Sequence, residues 1–168
     1  MSRLDSFIRR LKAQRACLDH AALLVRALAG DVLEMGLGNG RTYDHLRQLF
    51  PDRRIFVCER SLAAHPASLP PAELLILGDM RETLPGLAAR LKGRVALAHF
   101  DAGSGDGAAN RVQAALLGPL FAPLLCGGGI LVSDPAFSLD GFEPIPLPDG
   151  VAPGRYHLYR RLTAPASP

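Results

Sequence analysis

Tryptophan is absent from this chain, and cysteine is scarce. The three cysteines, Cys17, Cys58 and Cys126, are odd in number, widely spaced and never arranged as Cys-x-x-Cys. That pattern supports neither a disulfide framework nor a thiolate zinc site. The three read as small core residues. Long apolar runs are missing too. A spanning helix needs roughly 18–20 consecutive apolar residues, and runs such as Ala21 to Val25 fall far short. The first residues lack the apolar stretch and cleavage site of a signal peptide, so the expected location is cytoplasmic, with no membrane partner. No dense run of one charge occurs. Arg3, Arg9, Arg10, Lys12 and Arg15 alternate with Asp5 and Asp19 and read as the solvated face of a helix. Without a basic tract, interleaved aromatics or a tryptophan for stacking, nucleic acid is not expected as a partner. Internal repeats and low-complexity segments are also lacking.

What is present is a balanced globular composition. Of 168 residues, 48% are hydrophobic and 21% charged, enough to build a core without staples. The length fits one domain spanning residues 1–168. Residues 1–30 read as an N-terminal helical segment, with Leu4, Phe7, Ile8, Leu11, Leu18, Ala21, Ala22, Val25 and Leu28 at helical spacing. Ser2 or Asp5 is a possible cap and Gly30 a stop, with a possible bend near Cys17 to Asp19. Short apolar runs then alternate with helical segments. Strands are predicted over 31–36, 54–59, 73–78, 94–101 and 129–134, and helices over 41–50, 80–92 and 107–125. This rhythm predicts an α/β fold: a doubly wound, mostly parallel sheet with right-handed crossovers. After Asp134 the rhythm breaks. Residues 142–148 and 155–161 follow without a helix and read as an antiparallel C-terminal strand pair. The alternating prolines of the first confine it to an edge. Residues 163–168 read as a frayed tail.

One turn stands out. Glu34, Gly36, Gly38 and Gly40 follow the first strand and open a helix. Glycines there let the chain turn sharply and let a ligand approach closely. The spacing is Gly-x-Gly-x-Gly, one residue shorter than the dinucleotide fingerprint, and a carboxylate precedes it. Glu34 would repel a pyrophosphate but suits a ligand with an ammonium and a sulfonium centre. The arrangement resembles the class I S-adenosylmethionine-dependent methyltransferases, and so do four later strand ends. Glu59 closes the second strand, Gly78-Asp79-Met80 follows the third, Asp101 ends the fourth, and a triple glycine from Gly127 precedes the fifth. The resemblance covers roughly residues 31 to 134.

This resemblance implies a Rossmann-like sheet and S-adenosyl-L-methionine as cofactor, with S-adenosyl-L-homocysteine as product. The cofactor would contact Glu34, Gly36, Leu37, Gly38, Asn39, Gly40, Arg41, Thr42, Tyr43, Glu59, Arg60, Gly78, Asp79, Met80 and Asp101. Glu59 would take the ribose hydroxyls, Asp79 the adenine amino group, and the opening turn Arg41 to Tyr43 the methionine carboxylate. Candidates for a catalytic base are Asp101, then His99 or Asp106. Plainer readings stand beside these. Asp79 makes a good helix cap, Tyr43 and His99 equally suit the core, and Glu59 could be a surface acid. The sequence lacks an Asn-Pro-Pro-Tyr or Asp-Pro-Pro-Tyr quartet after the fourth strand, having Asp101-Ala-Gly-Ser-Gly-Asp106 instead. That argues against methylation of nucleobase or glutamine nitrogens. Asp101 and Asp134 lack a third ligand, so no metal is expected. The short stretch after Asp134 leaves no substrate domain. The acceptor is therefore expected to be a small molecule, or the site is completed by the N-terminal helix or a second copy in a dimer or tetramer. The alternatives are a non-catalytic S-adenosylmethionine-binding or interaction protein, and a nicotinamide-dependent oxidoreductase, which the glycine spacing opposes.

Overall fold

The computed structural model describes residues 2–103 and 106–163. Ser104, Gly105 and the tail from Ala164 lie outside the described residues. The first helix, α1 (Arg3–Leu24), is one continuous element rather than two. Its start is fixed by a reciprocal box in which the Ser2 hydroxyl accepts from the Asp5 N–H and Asp5 accepts from the Ser2 N–H. The first two turns hold no buried residue, and Leu4, Phe7 and Ile8 are exposed. Further along, Cys17, Leu18 and Ala21 are buried.

Strands and helices then alternate: β1 (Asp31–Met35), α2 (Arg41–Leu49), β2 (Ile55–Glu59), β3 (Leu75–Leu77), α3 (Met80–Leu91), β4 (Val95–Phe100), α4 (Gly107–Phe121), β5 (Leu125–Ser133), β6 (Phe142–Pro144) and β7 (His157–Arg161). The sheet order is β3-β2-β1-β4-β5-β7-β6. Pairing is parallel from β3 to β5 and antiparallel at β7 and β6. The short, proline-bearing β6 lies at the edge, where a missing N–H costs no ladder bond. Several boundaries differ from the sequence reading: α4 ends at Phe121 rather than residue 125, β6 stops at Pro144 rather than residue 148, and β3 and β7 are shorter than expected. β5 begins at Leu125 rather than Gly129, because Cys126 to Gly129 continue it through an irregularity in its register with β4. A side chain at Gly129 would meet the Cys126 and Val95 carbonyls.

Both faces of the sheet are covered, so the strands read as continuous apolar runs. Helices α3 and α4 pack on Leu33, Met35, Phe56, Ala98, Phe100 and Leu131. Phe100, Phe121 and Phe137 meet there, Phe137 edge-on to both others at 5.2 and 5.3 Å. Helices α1 and α2 cover the other face, on Val32, Val57, Leu97, Ile130 and Val132. Side chains alternate along a strand, so Glu34 and His99, paired in register, share this second face.

The ladder continues one residue past the strands. Gly36 N–H donates to the Cys58 carbonyl (2.9 Å), Gly78 to Glu59 (3.0 Å), Asp101 to Met35 (3.0 Å) and Asp134 to Phe100 (3.2 Å). These bonds set Gly36, Glu59, Gly78, Asp101 and Asp134 in one row along the carboxyl edge. The strand order reverses between β1 and β4, where open parallel sheets bind ligands.

Candidate functional site

The row is built around the glycine turn. Gly36 has φ +103°, and a Cβ there would sit 2.7 Å from the Asp101 carbonyl oxygen, so β1 and β4 approach too closely for any side chain. Gly38, at φ +52°, has nothing within 4 Å of where a Cβ would stand. Its outer side is open to an incoming ligand.

Glu59 closes this turn from the neighbouring strand. Its carboxylate accepts N–H bonds from Leu37 (2.8 Å) and Gly38 (3.0 Å) on one oxygen, and from Arg60 (2.7 Å) and Ser61 (3.0 Å) on the other. Burial pushes its pKa up, but these four backbone donors outweigh that and hold it below the usual carboxylate value. A fixed, partly exposed anion beside an open glycine turn fits a pair of sugar hydroxyls as donors. At the next strand end Asp79 caps α3, accepting from the Arg81 N–H at 2.9 Å. Its carboxylate also pairs with the Arg81 guanidinium at 2.7 Å. The Arg81 hydrogen bonds, chiefly from its side chain, pull the Asp79 pKa down to about 2. Asp79 is thus a cap that remains open to solvent beside Gly78. Met80 is buried in the α3 core, while Asn39, Arg41 and Arg60 are exposed around the turn.

Four residues considered for ligand contact or catalysis hold structural partners, and for Tyr43 and His99 the core reading is the one observed. The Glu34 carboxylate does not face the open side of the turn. It has no exposed surface, and its two oxygens take the Thr42 hydroxyl (2.5 Å) and His99 Nδ1 (2.7 Å). The strand's alternation points it under α2, so it fixes the first turn of that helix from below. Tyr43 is packed in the α1–α2 core with the Arg47 guanidinium over its ring. His99 is fully buried, out of reach of any bound molecule. Burial, the largest influence, pulls its pKa down, but the Glu34 carboxylate pulls it up and the net is raised. Asp106 caps α4, accepting from the Ala108 and Ala109 N–H groups.

Asp101 lies where the sequence placed it, at the end of β4, but its surroundings come from α1. Arg10 donates to one oxygen at 2.6 Å and the Gln14 amide to the other at 2.7 Å. The Arg10 guanidinium also reaches Asp134, at the end of β5, at 3.5 Å. Burial raises the Asp134 pKa, and Arg10 only partly opposes this. The Gln14 amide donates a second bond, 3.0 Å, to the hydroxyl of Tyr156, which in turn lies 2.8 Å from His99 Nε2. Arg10 is therefore not on a solvated helix face, as its charge pattern implied. Gln14 and Tyr156 were missed altogether. Only the stripe shared by Arg10, Gln14 and the apolar Cys17 and Leu18 hinted that these polar positions face inward. Among the described residues, no three His, Cys, Asp or Glu side chains gather as a metal site.

Comparison with known proteins agrees with this geometry. A family model described as S-adenosyl-L-methionine methyltransferase matches residues 1–161. The crystal structure of an S-adenosyl-L-methionine methyl transferase from Silicibacter pomeroyi DSS-3 is 48% identical. The match covers 96% of this chain and 99% of that one, with a TM-score of 0.92. Two more distant structures share the fold. The antibiotic-resistance methyltransferase Kmr has 15% identity, covers 89% and 93% of the two chains, and gives a TM-score of 0.56. Human methyltransferase-like protein 13, in complex with SAH, has 16% identity, covers 91% and 80%, and gives 0.52. A search of curated proteins finds no match. With the glycine turn, the Glu59 cradle and the row of strand-end acids in place, the chain belongs to the S-adenosyl-L-methionine methyltransferase family, and its cofactor is S-adenosyl-L-methionine.

Proposed function

We propose that this chain transfers a methyl group from S-adenosyl-L-methionine to a small-molecule acceptor bound over Asp101 and Asp134. The observation that carries this reading is the division of the carboxyl edge. The cradle of Gly36 to Gly40 and Glu59 lies on one side of the strand-order reversal, and two acids bridged by one arginine lie on the other. The cradle would hold the cofactor, with Glu59 taking the ribose hydroxyls and Asp79 and Met80 flanking the adenine. The cofactor supplies a methyl group on a positively charged sulfur. The chain's part is to align the acceptor, exclude water and take a proton where the acceptor must lose one. Both oxygens of Asp101 are held by Arg10 and Gln14, which suits it to orienting. Asp134 meets the Arg10 guanidinium only at 3.5 Å among the described residues and has a raised pKa, which suits it better to accept a proton.

What lies around the acids supports a small acceptor. Among the described residues, β6, β7 and their loops follow β5, and α1 lies over this end through Arg10 and Gln14. Incubation with methyl-labelled cofactor and a panel of small amines, alcohols and carboxylates tests the reading. Label should pass to a small molecule, and transfer only to protein or RNA, or none at all, would contradict it. Self-association is part of the same proposal. The exposed Leu4, Phe7 and Ile8 of α1 offer an apolar face for a dimer or tetramer. Light scattering should give a multiple of the 17.9 kDa chain mass, and a monomeric mass would remove that part.

A further inference from the structure

Glu34, His99 and Tyr156 have no exposed surface, and Gln14 has 4%. They form one continuous string. Thr42 at the start of α2 bonds Glu34 on β1, Glu34 bonds His99 on β4, His99 meets the hydroxyl of Tyr156 just before β7, and Tyr156 takes the Gln14 amide of α1. The same amide nitrogen then reaches Asp101 at 2.7 Å. Every link is 3.0 Å or shorter, and the string runs from the helix behind the glycine turn to the carboxylate opposite it. Beyond Thr42, the Glu34–His99 pair needs one more group, a partner for the buried His99 Nε2. Filling the volume of Tyr156 needs only a phenyl ring. Its hydroxyl therefore serves the link, and Gln14 is where a sealed core network emerges at the site.

We propose that His99, Tyr156 and Gln14 are positioning residues, which hold the Asp101 carboxylate and the Arg10 turn of α1 in register with the glycine turn. The inference rests on the cofactor occupying that turn. None of the three touches a bound molecule. A ligand that stiffens the opening of α2 tightens Thr42 on Glu34, and the string carries this to α1. Hydrogen-bonded chains polarise one another, so a break at one link is felt along the others.

Hydrogen exchange with S-adenosyl-L-homocysteine as the probe tests this on the full chain. In the wild type the probe should slow amide exchange over residues 6–14 at least roughly fivefold, the low end of ordinary site-to-site coupling. Tyr156→Phe should bind the probe within about threefold of the wild type yet lose that added protection. Gln14→Leu, which removes no atom of the Glu34–His99 pair, should do the same and covers the case in which Tyr156→Phe fails to fold. A purely structural role would not move the ring of a residue that Gln14 does not contact. The 15N signals of His99, assigned by their loss in His99→Gln, should therefore shift in Gln14→Leu. Unchanged His99 signals in Gln14→Leu, or wild-type protection by the probe in either variant, would overturn the inference. So would a wild type that binds the probe without any change over residues 6–14. A wild type that does not bind the probe at all would overturn the cofactor assignment, and the inference with it.

Discussion

Glu59 does two things with one carboxylate. It fastens the glycine turn through the Leu37 and Gly38 amides and presents a held anion at the cofactor side. Its folded pKa lies below the ordinary 4.5. The stabilisation it gives is therefore complete above that value and is lost as pH falls through the lower folded pKa. Glu59→Gln should melt below the wild type at pH 7, and the gap should close as pH is lowered from about 5 toward 3. A gap constant across that range, followed by calorimetry, would mean the amide bonds do not depend on the charge. Glu34 and His99 make a different case, because both are sealed. Removing one partner leaves the other buried and unpaired, which costs about 3–5 kcal/mol. His99→Leu should lower the melting temperature by about 10 °C, given about 2–4 °C per kcal/mol at this size. A fall of a degree or two would mean that Thr42 alone satisfies Glu34. At this scale the sequence was legible where a motif was local. Glu59, Asp79 and the glycines announce themselves by spacing within a few residues of a strand end. Arg10, Gln14 and Tyr156 do not, since their partners lie 57 to 142 residues away and convergence depends on packing.

Among the elements, the strands were the most legible. Buried parallel strands are short apolar runs bounded by glycine, proline or a charge, and β1, β2 and β4 each have that form. The start of β5 was not, because glycines that usually break a strand here accommodate an irregular register against β4. For α1 the helical spacing was plain, but its environment was not. The periodicity from Leu4 to Leu28 did not say which apolar positions are covered: the buried residues begin at Ala13, and Leu4, Phe7 and Ile8 stay exposed. Helix α4 depends on Phe121, which has no exposed surface and touches Phe100 and Phe137. Phe121→Ala should cost about 3–5 kcal/mol. Because this aromatic group lies on the α3–α4 face, away from the glycine turn, affinity for S-adenosyl-L-homocysteine at low temperature should remain within about threefold. A large loss of affinity with little loss of stability would place Phe121 in the site instead.

For the whole molecule, the order of strands determines where chemistry can occur. Reversal between β1 and β4 opens the crevice, the continued ladder lines up its acids, and α1 brings a cation and an amide over the top. Two broad surface hollows lie elsewhere. One of about 550 Å³ is lined by Asp19, Arg26 and Phe50, and another of similar size by His20, Leu147 and Arg160. The crevice at the carboxyl edge is set apart by its donors and acids rather than by its volume. Among the described residues no helix is long and apolar enough to cross a membrane.

Titration calorimetry of S-adenosyl-L-homocysteine and NAD against the wild type and Glu59→Ala bears most directly on the cofactor cradle. The homocysteine compound should bind the wild type one to one, NAD should not, and Glu59→Ala should weaken binding at least tenfold, about 1.4 kcal/mol. Equal binding of NAD, or an affinity unchanged in Glu59→Ala, would contradict the assignment of the turn and its acid to this cofactor.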